Sequence, residues 1–598
     1  MGMNYKPRYS NVVDMLRSSV AQYAQRPLFG TRNSQGWHFI TYAEFDELVN
    51  AARGGIASLG VKPGERVAVI SDNRLEWVTC AYASYSFGTI YVPMYQAQLD
   101  RDYKYILSDS AAQVCFCANE RIAARVRALQ PELPQLKHVI DFESAQYQEL
   151  LATGRAKPVP AAKLSDNDVA IYIYTSGTTG SPKGVELTHY NLGATASSVI
   201  DVAPLKYQEE CTLAFLPWAH VFGGCIEVAV LIGYGGAVAI CDNTEKLLDY
   251  LSEVKPTALF AVPRIWNRIY DGVNKQIEAR PKAIQQLLRT GLKARGRHAK
   301  GQSLSIPERL AMLITNKLLI TKIQARLGGR VRFAVSGAAA LSQEVAEFID
   351  NLGIIVLEGY GLTETTGGGT GSQPHTRRLG SVGKPLPGTE IRLDPDVPGA
   401  GPGEGEIIIH GAGVMRGYHN VPEASGIFTS DGGLRTGDIG RFDADGFLYI
   451  TGRVKELYKL SNGKYVAPVA LEEKLQLSPF VAQCCVYGAD RPHNTAVIIV
   501  DIDSVIAWAG AHGLPTSDTA KLLQEPKVRS LIRTELDKHS RDFKGYEQVR
   551  DFVLDSELFT TQNDLLTPSL KLKRRNVLAK YADRLDALYR AAPLRAQA

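Results

Sequence analysis

The chain has 598 residues, 45% of them hydrophobic and 22% charged, with 67 Lys or Arg against 62 Asp or Glu. That length exceeds what one core supports, so at least two domains are expected, and the composition excludes a disordered or fibrous chain. A formal net charge of +5 is too balanced to point to nucleic acid as a partner.

The first residues, MGMNYKPRYSNVVDML, hold no apolar signal-peptide core. TYAEFDELVNAARGGIASLG, ending at Gly60, has the spacing of an amphipathic helix. Short apolar runs then recur before turns: DVAIYIYTSG ending at Gly177, TLAFLPW, PTALFAVP, VRFAVSG ending at Gly337 and GIIVLEGYG ending at Gly361. Buried strands alternating with helices predict an α/β fold with largely parallel sheets. The uncharged stretch Val228 to Cys241 contains three glycines and is 14 residues long, short of the roughly 20 needed to span a bilayer.

One interval stands apart. From Arg280 to Lys300 there are seven Lys or Arg and no acid, and a helix follows in which Leu310, Leu313, Ile320 and Ile323 sit among cations. This pattern suits either a solvated helix pair or a peripheral contact with anionic lipid or an acidic ligand.

After about residue 380 the character changes. EGEIIIHG and RFDADGFLYITG read as antiparallel strands, the second turning at Asp445 and Gly446. CCVYG and TAVIIVDID belong to a smaller α+β domain hinged near Arg453. The expected domains are therefore 1–452, large and subdivided with mixed sheets, and 453–598, small and mobile. Eight cysteines without metal-ligand spacing read as buried thiols in a reducing cytoplasm.

The chemistry concentrates in YTSGTTGSPKG, Tyr174 to Gly184. Glycines bring backbone N–H groups close to an anion, hydroxyls add donors, and the loop follows a strongly apolar strand, which suits phosphate. It is not a Walker loop, in which lysine directly follows glycine; here Pro182 precedes Lys183.

YTSGTTGSPKGVELTH resembles the phosphate-binding signature of the adenylate-forming superfamily, which includes acyl-CoA synthetases, aryl-CoA ligases and peptide-synthetase adenylation domains. GYGLTET from Gly359, GSVGKPLPG from Gly380, RTGDIG from Arg435, GRVKELYKLSNGKYVAP from Gly452 and LTPSLKLKRR from Leu566 follow in the family's order. The resemblance implies that a carboxylate attacks the α-phosphorus of ATP, pyrophosphate leaves, and the thiol of coenzyme A then displaces AMP. It implies that Ser176, Gly177, Thr178, Thr179, Gly180 and Lys183 cradle the outer phosphates, and that Thr175 and Glu364 hold Mg2+. It further implies that Ser336, Gly337 and Ala338 form the adenine wall with Tyr360, and that Gly361 and Thr363 of GYGLTET bind the nucleotide. By the same resemblance Asp438 accepts the ribose hydroxyls. The resemblance also implies that Arg453, Lys455 and Lys459 lie at the hinge as phosphate or adenylate contacts and that Gly463 flanks the pantetheine channel. Lys571 aligns with the family's adenylation lysine, with Leu570 where the usual signature has glycine.

Without the resemblance, Glu364 reads as a helix-start carboxylate, Asp438 as a turn aspartate, Ser336 to Ala338 as a strand end and Lys571 as a surface charge. VPRIWNRIY, NGKYVAP and FTTQNDLLTPSLKLKR are similar to long-chain acyl-CoA synthetases of the bacterial type. By the same resemblance LPWAHVFGG lies at the acyl tunnel, with Trp218, His220 and Phe222 as gate or carboxylate-pocket residues; His220 also reads as a core histidine. The expected substrates are a fatty acid, ATP and CoA. The alternatives are an aryl-CoA ligase, a fatty acyl-AMP ligase that loads a carrier protein, and a non-enzymatic lipid-binding protein. The expected location is the cytoplasm, peripheral at the inner membrane surface, and nothing in the sequence sets an oligomeric state.

Overall fold

A computed structural model of the chain describes residues 5–175, 182–206, 209–299, 301–339, 341–422 and 426–591. It divides into two compact units. The first takes Met1–Arg392, Ile408–Thr436 and Asp443–Leu448; the second takes Leu393–Ile407, Gly437–Phe442 and Tyr449–Ala598. The sheets are mixed, as expected for an α/β chain with a smaller α+β unit.

In the first unit a seven-stranded sheet runs in the order Gly417–Tyr418, Lys183–Thr188, Val169–Thr175, Ile90–Met94, Arg66–Ile70, Val114–Cys117, His138–Asp141. Its strands from Val169–Thr175 to His138–Asp141 are parallel. We label Val169–Thr175 as β1 and Lys183–Thr188 as β2; they pair antiparallel and carry the predicted phosphate loop between them. Apolar side chains leave both faces of this sheet, so β1 is buried from Ala170 to Tyr174. The helix read from TYAEFDELV spans Tyr42–Ser58, and Thr41 caps it reciprocally with Glu44.

A helical hairpin, α1 (Lys282–Ala299) and α2 (Ile306–Thr315), corresponds to the basic interval. Beyond it, β3 (Phe333–Ser336) and β4 (Ile355–Tyr360) lie in a five-stranded sheet with Ala258–Ala261, Thr370–Gly371 and Lys384–Pro385. The first three strands of this sheet are parallel. Their carboxyl ends therefore point the same way, the usual placement of ligand sites in open α/β sheets.

The second unit is built on a three-stranded sheet of Val481–Tyr487, Asn494–Val500 and Val549–Asp555. All seven residues of Asn494–Val500 are buried, because helices cover both faces. All eight cysteines are free thiols, and only Cys211 is partly exposed. Among the described residues no helix is long and apolar enough to cross a membrane.

Candidate active site

Thr175, the last residue of β1, stands opposite Lys183, the first of β2. Ser176, Gly177, Thr178, Thr179 and Gly180 lie between them, outside the described residues. A short strand, β5 (Gly417–Tyr418), joins the outer edge of β2 with Tyr418 opposite Val185. This pairing aims the Tyr418 phenol at Glu364, and its hydroxyl donates to Glu364 Oε1 at 2.6 Å. The Lys183 ammonium sits 5.0 Å from the centroid of the same ring, a cation–π distance. Burial, then the neighbouring Glu364 charge, pushes the Tyr418 phenol well above its ordinary range, so it remains a donor.

Glu364 occupies a single turn, Thr363–Thr365, in which Thr363 is buried. The Glu364 carbonyl accepts from the N–H of Met415 at 2.8 Å. Thr366 follows with φ of +56°, and its hydroxyl donates to the Gly413 carbonyl at 2.8 Å. The carboxylate is thus fixed by its own turn and by the segment leading into β5. Thr175 and Glu364 offer hard oxygen donors. Among the described residues there is no cluster of three His, Cys, Asp or Glu side chains that could hold a metal by itself. That donor chemistry fits magnesium, which binds through one or two protein oxygens and substrate phosphates.

The predicted adenine wall lies at the ends of β3 and β4. Ser336 faces Glu358 across the ladder and is 2% exposed, yet its hydroxyl has no hydrogen-bond partner among the described residues. A buried hydroxyl left unpaired is costly, which suits a ligand that completes it. Ala338 takes φ of +69°, turning the chain sharply after Gly337. A Cβ on Gly337 would lie 3.5 Å from the Phe222 ring. Tyr360 is half-buried at the end of β4 and pairs with Thr370. Gly361 admits no side chain, since a Cβ would come within 2.3 Å of the Gly367 carbonyl oxygen.

Phe222 opens a π-helical turn, Phe222–Glu227, and its N–H donates to His220 Nδ1 at 3.2 Å. The Phe222 ring packs edge-on to Phe260 at 6.0 Å. Trp218 instead lies in the core at 1% exposure, packed on Trp77 at 5.6 Å and Phe29 at 6.1 Å. The structure therefore brings Phe222 beside Gly337 and sets Trp218 among the core aromatics.

In the second unit Asp438 is buried on the strand Leu434–Phe442 and accepts from Arg453 Nε at 2.6 Å. Lys455 and Lys459 are exposed, and the Lys459 ammonium lies 5.8 Å from the Tyr465 ring. Gly463 sits in the turn joining Tyr458–Lys459 to Tyr465–Val466, with φ of +86°. Only glycine adopts that conformation without strain.

Lys571 is exposed on a tight loop. Its N–H donates to Thr567 Oγ1 at 3.0 Å, and the Thr567 N–H donates back to the Lys571 carbonyl at 2.8 Å. Leu570 takes φ of +60° with its side chain 57% exposed. The neighbouring cations have other duties. Lys573 pairs with Asp564 at 2.5 Å, and Arg574 makes two 2.7 Å bonds to the buried carboxylate of Glu472. Only Lys571 and Arg575 of this run are exposed, which separates a site candidate from its structural anchors.

Sequence reasoning passed over Tyr418. Nothing in RGYHN distinguishes it from an ordinary strand tyrosine, and its role depends on pairing with a strand far away in the chain. Glu472 was equally silent, because its partner is 102 residues distant.

Comparison with known proteins now decides the family. Residues 16–419 match the model of the AMP-binding enzymes, and residues 456–593 match the AMP-binding enzyme C-terminal domain. The chain belongs to the AMP-binding enzyme family. It is 32% identical to the long-chain-fatty-acid–CoA ligase FadD15 of Mycobacterium bovis, over 92% of each chain. It is also 32% identical to the peroxisomal long chain acyl-CoA synthetase 6 of Arabidopsis thaliana, over 98% of this chain and 87% of that one. In fold it is similar to the anthranilate CoA ligase AuaEII in complex with anthranoyl-AMP. The TM-score is 0.74 at 22% identity, covering 98% of this chain and 99% of that one.

Proposed function

We propose that this AMP-binding enzyme is a long-chain fatty acid–CoA ligase. It forms acyl-AMP and pyrophosphate from ATP and the acid, then acyl-CoA and AMP. The observation that carries the reading is the convergence of Thr175, Lys183, Tyr418 and Glu364 around the phosphate-loop hairpin. An anionic acid must meet an anionic triphosphate there, and cations and donors offset the repulsion.

In this account Lys183 neutralises leaving pyrophosphate, and Tyr418 orients Glu364. Thr175 and Glu364 are the residues that would hold Mg2+, which supplies charge screening on the phosphates when bound. Ser336 donates to the nucleotide, and Asp438 accepts from the ribose. His220 and Phe222 face the reacting carboxylate. The second unit, hinged near Arg453 with Lys455 and Lys459 beside it, serves the two half-reactions through different residues: Lys571 for adenylation and Gly463 for thioester formation. The chain length of the relatives' substrates supports a fatty acid over an aromatic one.

The test is pyrophosphate release by the purified chain over a panel from acetate to arachidate, with benzoate and anthranilate alongside. Long saturated acids should give the highest kcat/KM. A preference for benzoate or anthranilate would replace this reading with an aryl-CoA ligase.

A further inference from the structure

From Arg280 to Arg332 the sequence carries 13 Lys or Arg and one acid, Glu308. The interval has a net charge of +12 in a chain whose total is +5, so the remainder carries −7. Such segregation concentrates positive charge in this interval rather than spreading it along the chain, although Arg297 pairs with Glu308 and Arg332 with Glu210.

The same interval exposes apolar side chains. Ile306 is 83% exposed, Leu310 58%, Leu313 61% and Leu318 47%, and these are four of the nine large hydrophobic residues exposed among the described ones. Their spacing makes a stripe. Ile306, Leu310 and Leu313 follow the i, i+4, i+7 rule of one α-helical face. The step of five to Leu318 crosses the π-helical turn Asn316–Ile320, whose wider winding accommodates the extra residue on the same side. Arg309, Lys317 and Lys322 are exposed three or four residues from the stripe, and none of the three has a carboxylate within ion-pair distance among the described residues.

The hairpin holds this surface rigidly. α1 and α2 approach so closely that a Cβ on Gly291 would fall 2.0 Å from Thr315 Oγ1. Ser305 caps α2 reciprocally with Glu308, which also pairs with Arg297. Meanwhile Ile320 and Ile323, which the sequence could not tell apart from Leu310 and Leu313, turn inward and are buried.

We propose that the α1–α2 hairpin docks the protein on anionic lipid bilayers, with Ile306, Leu310, Leu313 and Leu318 entering the acyl boundary. Arg309, Lys317 and Lys322 meet the headgroup phosphates. Charge complementarity selects this occupant. A second copy would bring the same exposed cations, Arg309, Lys317 and Lys322, against one another. A nucleic acid would use the cations and leave the apolar stripe in water. Only an anionic bilayer takes up both features. The proposal extends the ligase reading by placing the surface where a poorly soluble acid is collected, but it stands on binding alone, and its test does not use turnover.

The test is co-sedimentation of the full chain with vesicles of phosphatidylcholine alone or mixed with phosphatidylglycerol. Binding is expected to the mixed vesicles only, and to fall at least tenfold in high salt as screening shortens the electrostatic reach. Two triple variants separate the contributions: Leu310→Gln, Leu313→Gln and Leu318→Gln, and Arg309→Gln, Lys317→Gln and Lys322→Gln. Each should lose binding at least tenfold while keeping wild-type circular dichroism, since all six side chains are exposed. Equal binding to neutral vesicles, no binding by the wild type, or unchanged binding by both variants overturns the proposal. So does a shift in sedimentation coefficient between wild type and the leucine variant without lipid, which would assign the stripe to self-association.

Discussion

The hydroxyl of Tyr418 donates a 2.6 Å hydrogen bond to Glu364, and the ring that carries it lies under the ammonium of Lys183. One aromatic side chain thus sets the position of a carboxylate on one side and a cation on the other.

Tyr418→Phe keeps the ring and removes the hydroxyl. A hydrogen bond to a charged group contributes about 1.5–3 kcal/mol, so adenylation should slow by roughly 10- to 100-fold. The magnesium concentration for half-maximal rate should rise, because an unoriented Glu364 is a poorer ligand. A titration of magnesium against pyrophosphate release checks this. Unchanged rate and unchanged magnesium dependence would remove Tyr418 from the site.

Lys571 and Gly463 should separate the two half-reactions. Lys571→Ala is expected to slow adenylate formation by about 100-fold or more, the scale for losing a donor aimed at developing charge. Supplied with preformed acyl-adenylate and CoA, it should still make thioester. Gly463→Leu should do the reverse. Its φ of +86° penalises leucine in addition to the bulk placed beside the Lys459 stem, so a Gly463→Ala control reports the backbone effect alone. Equal losses in both half-reactions for both variants would contradict the division of labour.

Leu570 shows how the fold bears on the Lys571 loop. The position demands a left-handed backbone, φ +60°, where the superfamily's common signature has glycine. An L-residue there carries strain of about 1–2 kcal/mol, while glycine loses more entropy on folding. Leu570→Gly should therefore leave stability unchanged or raise it by up to about 1 kcal/mol, measured by denaturant unfolding, with adenylation retained. A fall in stability of several kcal/mol would mean that the exposed leucine side chain holds a contact of its own.

The motifs were legible because their residue types are tied to local geometry: a Gly-rich turn after an apolar strand, and a glycine at each left-handed turn such as Gly463. What the sequence could not show depends on distant pairing. Tyr418 acquires its role only when β5 joins the edge of β2, and Arg574 is told apart from Lys571 only once Glu472 is packed beneath it. Trp218 and Phe222 sit four residues apart in one motif, yet the bend into a π-helical turn sends them to different neighbours. Helical periodicity in α2 and the turn after it marked Leu310 and Ile320 alike, and only tertiary packing decides which face is covered.

Two buried carboxyl groups give a pH signature. Burial pushes Glu227 up to about 8 and Glu358 up to about 7, from an ordinary 4.5. Between these values the folded state holds protons that the unfolded chain has released, so stability should fall as pH rises from about 4.5 to about 8 and level off above. Among the described residues the Thr212 hydroxyl, at 2.7 Å, is the one hydrogen-bond partner of the Glu227 carboxyl. Glu227→Gln with Glu358→Gln should flatten the dependence of the unfolding midpoint on pH over this range. A wild-type slope in the double variant would assign the effect to other groups.

The central claim is that one chain completes both half-reactions with a long-chain acid and CoA. Its most direct test is a mass-spectrometric time course with palmitate, ATP, magnesium and CoA, following pyrophosphate, AMP and palmitoyl-CoA together. The account predicts all three in equal amounts, with the adenylate never accumulating. Pyrophosphate released with palmitoyl-AMP building up and no palmitoyl-CoA formed would contradict it, and would make the protein an acyl-AMP ligase whose acceptor is another thiol.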